Sequence, residues 1–172
     1  MQDFIQQFKN KKFPIELASH LWPTIDPKVL TIVQTREWKT FKYFNADKSV
    51  NSSISNVSNK KGGIYVFYVS PEIIQGKQRI LMYVGRARIT SNQNLRKRIR
   101  EYQYYMPPDS SRPKVNTLFK EWWEYIYCTY IELDDNDLID CVEKELINKL
   151  IPPFNDLYPD TKISKALKAA FL

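Results

Sequence analysis

The sequence predicts an α+β fold, and three observations carry that prediction. Segments 63–70 and 79–87 are rich in β-branched and aromatic residues and flank a turn, the pattern of a hairpin. A third segment of the same kind lies at 125–133. Segments 95–102 and 138–150 instead repeat their apolar residues at steps of three and four, the period of a helix buried along one stripe.

The hairpin opens on Gly63-Ile64-Tyr65 and closes on Tyr83-Val84-Gly85. Side chains alternate along a strand, so Tyr65, Phe67 and Val69 are expected on one face of the first arm. Leu81, Tyr83 and Gly85 are expected together on the second. Suitable pairing sets two tyrosines side by side near a glycine. Strand tyrosines are ordinarily core or surface filler, so this pair points to chemistry only if other residues join it. The connection 71–78 is too long for a two-residue turn and is expected to be a loop.

Upstream, residues 1–61 are expected to form an α-rich arm and polar linker, packed on a main domain of residues 62–172 that ends in a helical extension. An apolar i, i+4 pair (Phe4, Phe8) suits a short helix over 3–8. Asp26-Pro27 suits an N-cap with proline in the first helical position. Val29, Leu30, Val33, Trp38 and Phe41 follow without a clean period. Residues 46–61 are rich in Asn, Ser and Lys and read as loop.

Downstream of the hairpin, Asn94 is a plausible N-cap for a helix whose stripe is Leu95, Ile99 and Tyr102. Arg98 lies four residues before Tyr102, at the edge of that stripe. An arginine near a buried face needs an acceptor, because a stranded charge is costly. Lys97 and Arg100 should point outward. A proline-rich loop over 106–113, a short amphipathic helix over 117–123 and the third strand come next. Asp134, Asp135 and Asn136 offer caps for the helix 138–150, which stops before Pro152-Pro153.

On that last helix Ile139, Val142, Leu146, Ile147 and Leu150 share one face, and Glu143 falls among them. Lys144, Glu145, Asn148 and Lys149 occupy the other face. A helix glutamate is ordinarily solvated, which suits Glu145. A carboxylate inside an apolar stripe wants a cation or a hydrogen-bond donor, and Tyr65, Tyr83 and Arg98 are the available neighbours.

At 172 residues the chain is long enough for one domain with a sizeable core. Cys128 and Cys141 lack metal-ligand spacing and read as small buried hydrophobes in a reducing compartment. There is no apolar run of membrane-spanning length and no signal-peptide pattern, so a cytoplasmic protein without a membrane partner is expected. A single histidine, His20, argues against a His-based zinc site, a Ser-His-Asp triad and an HNH-type nuclease. Net charge is +7 and polarised: residues 86–120 hold nine basic residues against two acids, and residues 121–160 hold eleven acids against two lysines. A basic block interleaved with Tyr102, Tyr104 and Tyr105 suits a phosphate-backbone contact, although a charge run alone is ordinarily a solvated face.

These residues resemble the signature of the GIY-YIG endonuclease superfamily. Gly63-Ile64-Tyr65 and Tyr83-Val84-Gly85 match its two name-giving motifs. Arg98 matches the arginine of the following helix, and Tyr102 falls one turn later, where members carry Tyr or His. Glu143 matches the metal-binding glutamate, and Pro153-Phe154-Asn155 matches the closing pattern. The resemblance covers roughly residues 62–155. Arg86 stands where many members have lysine, and the segment between Gly85 and Leu95 is longer than in repair-type members.

The resemblance implies a small antiparallel three-stranded sheet flanked by helices, in the order β-β-α-β-α. It implies hydrolysis of DNA phosphodiester bonds with one divalent ion, Mg²⁺ or Mn²⁺, held by Glu143. Arg98 would fork onto the phosphate. Tyr83 or Tyr65 would be the general base, a role that needs nearby positive charge because a free tyrosine titrates near pH 10. Tyr102 would contact the nucleophile or phosphate. Arg86, Arg88, Arg96, Lys97 and Arg100 would meet the DNA backbone, while Gly85 and Asn155 would support the site. The rival expectations are a DNA-binding module without catalysis and an RNA-directed nuclease. Sequence specificity, if any, would come from the arm, the loops or a homodimer.

Overall fold

The computed structural model describes residues 13–15, 17–74, 76–105 and 112–156. It is an α+β structure built on a four-stranded antiparallel sheet: β1 (Lys39–Lys42), β2 (Gly62–Val69), β3 (Ile80–Ala87) and β4 (Ile126–Leu133), in the order β1-β4-β2-β3. Among the described residues four helices accompany it: α1 (Pro27–Thr35), α2 (Leu95–Arg100), α3 (Pro113–Trp122) and α4 (Asn136–Leu150). Short 3₁₀ turns occupy Ser19–Thr24, Ser52–Asn56, Glu101–Tyr105 and Trp123–Tyr125.

The expected three-stranded sheet is corrected to four strands. The additional strand comes from the segment expected to be an α-rich arm. β1 pairs with β4 in the register Phe41↔Cys128 and buries only Phe41, with Lys39, Thr40 and Lys42 exposed. Short, lysine-bearing edge strands of this kind resist further pairing, and one apolar residue in four leaves little alternation to read. Nor is the region before residue 62 peripheral. Phe41, Tyr43, Phe44, Ile54 and Val57 join Tyr65, Phe67 and Tyr102 in a single apolar cluster.

The sheet separates two cores, as alternation along β2 requires. Tyr65 and Phe67 face α2 and α3 together with Leu95, Ile99, Leu118 and Phe119. Ile64 faces α1 and α4 together with Val84, Ile131, Val29, Ile139, Val142, Leu146 and Ile147. The hairpin carries an irregularity: Phe67 pairs with Tyr83, but Tyr68 pairs with Leu81, leaving Met82 as an extra residue. Such a bulge reverses the alternation beyond it. Leu81 therefore packs with Val84 on the α4 side, away from Tyr83, and Met82 joins Tyr83 on the other.

The helix boundaries follow local capping. Asp26 Oδ1 accepts from the Lys28 and Val29 amides, at 2.7 and 3.3 Å. Asn94 Oδ1 accepts from Lys97 N at 2.9 Å. Asp135 Oδ1 accepts from Asp137 N at 2.8 Å and Leu138 N at 3.2 Å, so α4 begins at Asn136 rather than 138. α3 begins at Pro113, in the first helical position that proline favours, not at 117. α2 ends at Arg100 and continues as a 3₁₀ turn.

Three local expectations are corrected. Cys141 is exposed, while Cys128 is buried. Near the end of α4, Asn148 is buried and Leu150 exposed, the reverse of the helical-wheel reading. Glu145 is partly buried and accepts from the Asp26 amide at 3.0 Å, tying α4 to the start of α1. The expected helix over 3–8, residues 106–111 of the proline-rich loop and the C-terminal extension beyond 156 lie outside the described residues. Among the described residues no helix is long and apolar enough to cross a membrane.

Candidate active site

The register of β2 and β3 builds the first half of the site. Tyr65 lies opposite Gly85, and Phe67 opposite Tyr83. With no side chain on Gly85, the Tyr65 ring lies flat across β3, its centroid 6.4 Å from that of Tyr83 in a stacked arrangement. Tyr102 reaches this pair from the 3₁₀ turn after α2. Its hydroxyl lies 2.8 Å from Tyr65 Oη and donates to Tyr83 Oη at 3.1 Å. Arg112, just before α3, donates from Nη2 to Tyr83 Oη at 3.1 Å. The result is a chain of three phenols that ends on β3, the edge strand.

Burial differs along that chain. Tyr102 is 0% exposed and Tyr65 1%, whereas Tyr83 is 5% exposed. Tyr102, expected to contact a nucleophile or phosphate, sits between the other two phenols and is buried. Burial pushes Tyr65 well above the ordinary phenol range, the neighbouring Tyr83 adds to this, and Arg98 opposes it. Burial also pushes Tyr102 up. Both are held as neutral phenols.

The second half lies on the opposite face of the sheet, where α4 packs. Glu143 is half-buried there, and Arg86, next to Gly85 on β3, pairs with it through Nη1 at 3.1 Å. The same nitrogen lies 2.9 Å from Asp140 Oδ1, and Arg88 Nε lies 3.8 Å from that oxygen. Asp140 Oδ1 is buried and makes an ion pair without a well-directed hydrogen bond. Burial raises the Glu143 carboxyl above its ordinary range, Arg86 opposes the shift, and the charge of Asp140 reinforces it.

Arg98 bears electrostatically on both halves. It projects from α2, pairs with Glu101 Oε2 at 2.8 Å and lies 5.7 Å from the Tyr102 ring centroid. Its charge opposes the upward shifts of both Tyr65 and Glu143. The outer edge of β3 is held by the segment after α4. Asn155 Oδ1 accepts from Val84 N at 3.0 Å, and Asn155 Nδ2 donates to Val84 O at 2.8 Å. Phe154 N donates to Met82 O at 3.0 Å. Residues 154–155 thus occupy backbone groups that an edge strand would otherwise leave open.

The expected DNA-contacting residues divide into two groups. Lys97 and Arg100 are exposed, as the helical spacing requires. Arg96 is turned inward, donating through Nε to Val57 O and through Nη2 to Ser55 O, each at 2.6 Å, and so fixes the 3₁₀ turn at Ser52–Asn56. Arg86 and Arg88 face the acids of α4. Sequence reasoning did not place Arg112 or Asp140 at the site. Asp140 was legible as i−3 from Glu143 on the same helix. Arg112 stands outside any periodic element, so only its place within the basic block marked it.

Among the described residues no group of three or more His, Cys, Asp and Glu side chains gathers as a ready-made metal cluster. The oxygens of Glu143 and Asp140 do suit a hard cation that takes few protein ligands and completes its shell with water and phosphate. No protein-family model, curated protein or solved structure matches the chain.

Proposed function

We propose that this chain is a divalent-metal-dependent endonuclease of the GIY-YIG type that hydrolyses phosphodiester bonds in DNA. The observation that carries the reading is a phenol chain, Tyr65–Tyr102–Tyr83, on one face of β3 and the carboxylate of Glu143 on the other, paired there with Arg86 of the same strand. Arg98 acts electrostatically on both. Buried phenols and a half-buried carboxylate are costly unless partnered, and each of these polar groups has a partner.

Phosphodiester hydrolysis needs a proton acceptor for the attacking water, and positive charge where negative charge develops at phosphorus. Tyr83 is the acceptor that the geometry favours, since it receives two hydrogen bonds and is the most exposed of the three phenols. Having released its own proton to solvent, its oxygen takes the proton of the water. The water oxygen bonds phosphorus, the bond to the departing sugar oxygen breaks, and that oxygen takes a proton from bulk water. Arg98, planar and always charged, would bind the phosphate. Glu143, with Asp140 beside it, would hold the divalent ion, and Arg86 would yield its place there. When bound, such an ion supplies Lewis-acid charge and lowers the pKa of water.

The Arg86–Glu143 ion pair favours a second reading, in which the carboxylate is merely neutralised and the basic helix binds DNA without cutting it. Nicking of supercoiled plasmid decides between them. The catalytic reading expects cleavage with Mg²⁺ or Mn²⁺, none with EDTA, and none by Glu143→Ala, which still binds DNA. Binding without cleavage in every condition would leave the second reading.

A further inference from the structure

We infer that Arg112 is a positioning residue of this site, which sets Tyr83 Oη as the accepting end of the phenol chain. The inference rests on the endonuclease reading above. A phenol has one proton and two acceptor lone pairs. Tyr102 gives its single proton to Tyr83, so the 2.8 Å bond between Tyr65 and Tyr102 runs with Tyr65 as donor. Tyr83 then accepts from Tyr102 and from Arg112, and its own proton is left to face outward. Without Arg112, the Tyr83 hydroxyl can turn inward and donate to Tyr102. The chain would then reverse and end at Tyr65, which is 1% exposed.

Arg112 is held for this task from two directions. Its guanidinium carbon lies 5.5 Å from the Tyr83 ring centroid, within cation–π range. Its Nε lies 3.6 Å from Asp156 Oδ2. Asp156 directly follows Asn155, which is bonded to Val84, the neighbour of Tyr83 on β3. Lys114 Nζ donates to Asn155 O at 3.3 Å, so the start of α3 is tied to the same segment. Arg112, Asp156, Asn155 and Val84 thus close a ring of contacts around Tyr83. A positioned arginine donates in a fixed planar fork, which a lysine does not reproduce.

Single-turnover cleavage and DNA binding are measured for wild type, Arg112→Ala, Arg112→Lys and Asp156→Ala. Arg112→Ala should lose roughly 10-fold or more in rate at saturating DNA, at or below the range for losing the base itself, with affinity nearly unchanged. Arg112→Lys should recover only part of the loss. Asp156→Ala, which does not touch Tyr83, should lose rate by a smaller factor in the same direction. Free guanidinium should restore rate to Arg112→Ala above a NaCl control of equal ionic strength. A wild-type rate for Arg112→Ala, or a loss confined to affinity, overturns the inference while leaving the endonuclease reading intact. A wild type that binds DNA but never cleaves it overturns both. Should Arg112→Ala fail to fold, the rate of Asp156→Ala decides: a wild-type value overturns the inference, and a reduced one with intact affinity supports it.

Discussion

Tyr65 lies on Gly85 so closely that a Cβ at Gly85 would stand 2.5 Å from Tyr65 Oη and 2.6 Å from Cζ. The glycine therefore serves the position of a hydroxyl, since its absent side chain leaves the space in which that hydroxyl meets Tyr102. Gly85→Ala should push the ring off β3 and stretch the 2.8 Å bond to Tyr102. Overpacking of this kind costs about 1–3 kcal/mol. Thermal unfolding should report that loss, and cleavage should fall more steeply than stability. A variant with wild-type unfolding and rate would remove Gly85 from the site.

Asn155 acts as a one-residue strand. Its side chain accepts from and donates to the backbone of Val84, and both atoms are buried. Asn155→Ala strands two backbone groups, at roughly 1–3 kcal/mol for each one left unsatisfied. Hydrogen exchange gives a local readout: the Val84 amide, protected in the wild type, should exchange faster in the variant, while the Ile131 amide in the sheet interior should change only with global stability. Unchanged protection at Val84, or an acceleration equal to that at Ile131, would show that the edge closes without Asn155.

Glu143 links metal, pH and stability. Burial places its folded-state titration above the ordinary glutamate value of about 4.3. Between those two values the folded chain holds a proton that the unfolded chain has released. The contribution of this group is thus full below the ordinary value and is lost as pH rises through the raised one. In EDTA, Glu143→Gln should therefore gain melting temperature relative to wild type across that window, with the difference levelling off above it. Divalent ion should reverse the order by binding only the folded wild type, adding about 2.7 kcal/mol at a hundred times its Kd. A wild type whose melting is indifferent to Mg²⁺ and Mn²⁺ would detach Glu143 from any ion.

What could be read in the chain and what could not divide along physical lines. Asp26, Asn94 and Asp135 cap their helices through contacts two or three residues away, so local sequence sufficed. Glu143 was marked by its isolation in an apolar stripe, and the structure supplies Arg86 as the partner that isolation demanded. β1 was missed because its four residues bury only one side chain. The extra residue at Met82 was missed because Leu81, Met82 and Tyr83 are all large and apolar, so the shifted alternation puts no polar residue out of place. Arg96 lies at the stripe's border, and nothing on α2 itself shows that carbonyls at Ser55 and Val57 would capture it. Arg112 depends on tertiary approach alone.

The exposed residues of α2 should carry the electrostatic part of DNA binding. Lys97→Ala and Arg100→Ala should each weaken binding to all sequences alike and reduce the slope of log K against log salt by about one unit. Arg96→Ala should instead lower thermal stability and leave that slope nearly unchanged, because its guanidinium is engaged with protein carbonyls. Filter binding over a series of salt concentrations tests all three. A slope unchanged by Lys97→Ala and Arg100→Ala would mean that these side chains do not reach the phosphates.

Arg98 separates chemistry from attachment. Its side chain is 30% exposed, its Nη1 is engaged with Glu101, and its charge acts on both Tyr65 and Glu143. If it stabilises charge at phosphorus, the planar fork matters more than the charge, and Arg98→Lys should fail almost as badly as Arg98→Ala. A loss on the order of 10²-fold or more in rate is expected for such a group. Tyr102→Phe should keep the packing of the ring against Phe67 and Phe119 while cutting the phenol chain on both sides. Its rate should fall by less than that of Arg98→Ala, because Arg112 still donates to Tyr83. All three variants should bind uncleaved DNA. Single-turnover rates set beside binding isotherms give the decision: normal cleavage by Arg98→Lys, or a loss in Arg98→Ala no greater than its loss of affinity, would move Arg98 from the reaction centre to the surface that holds the backbone.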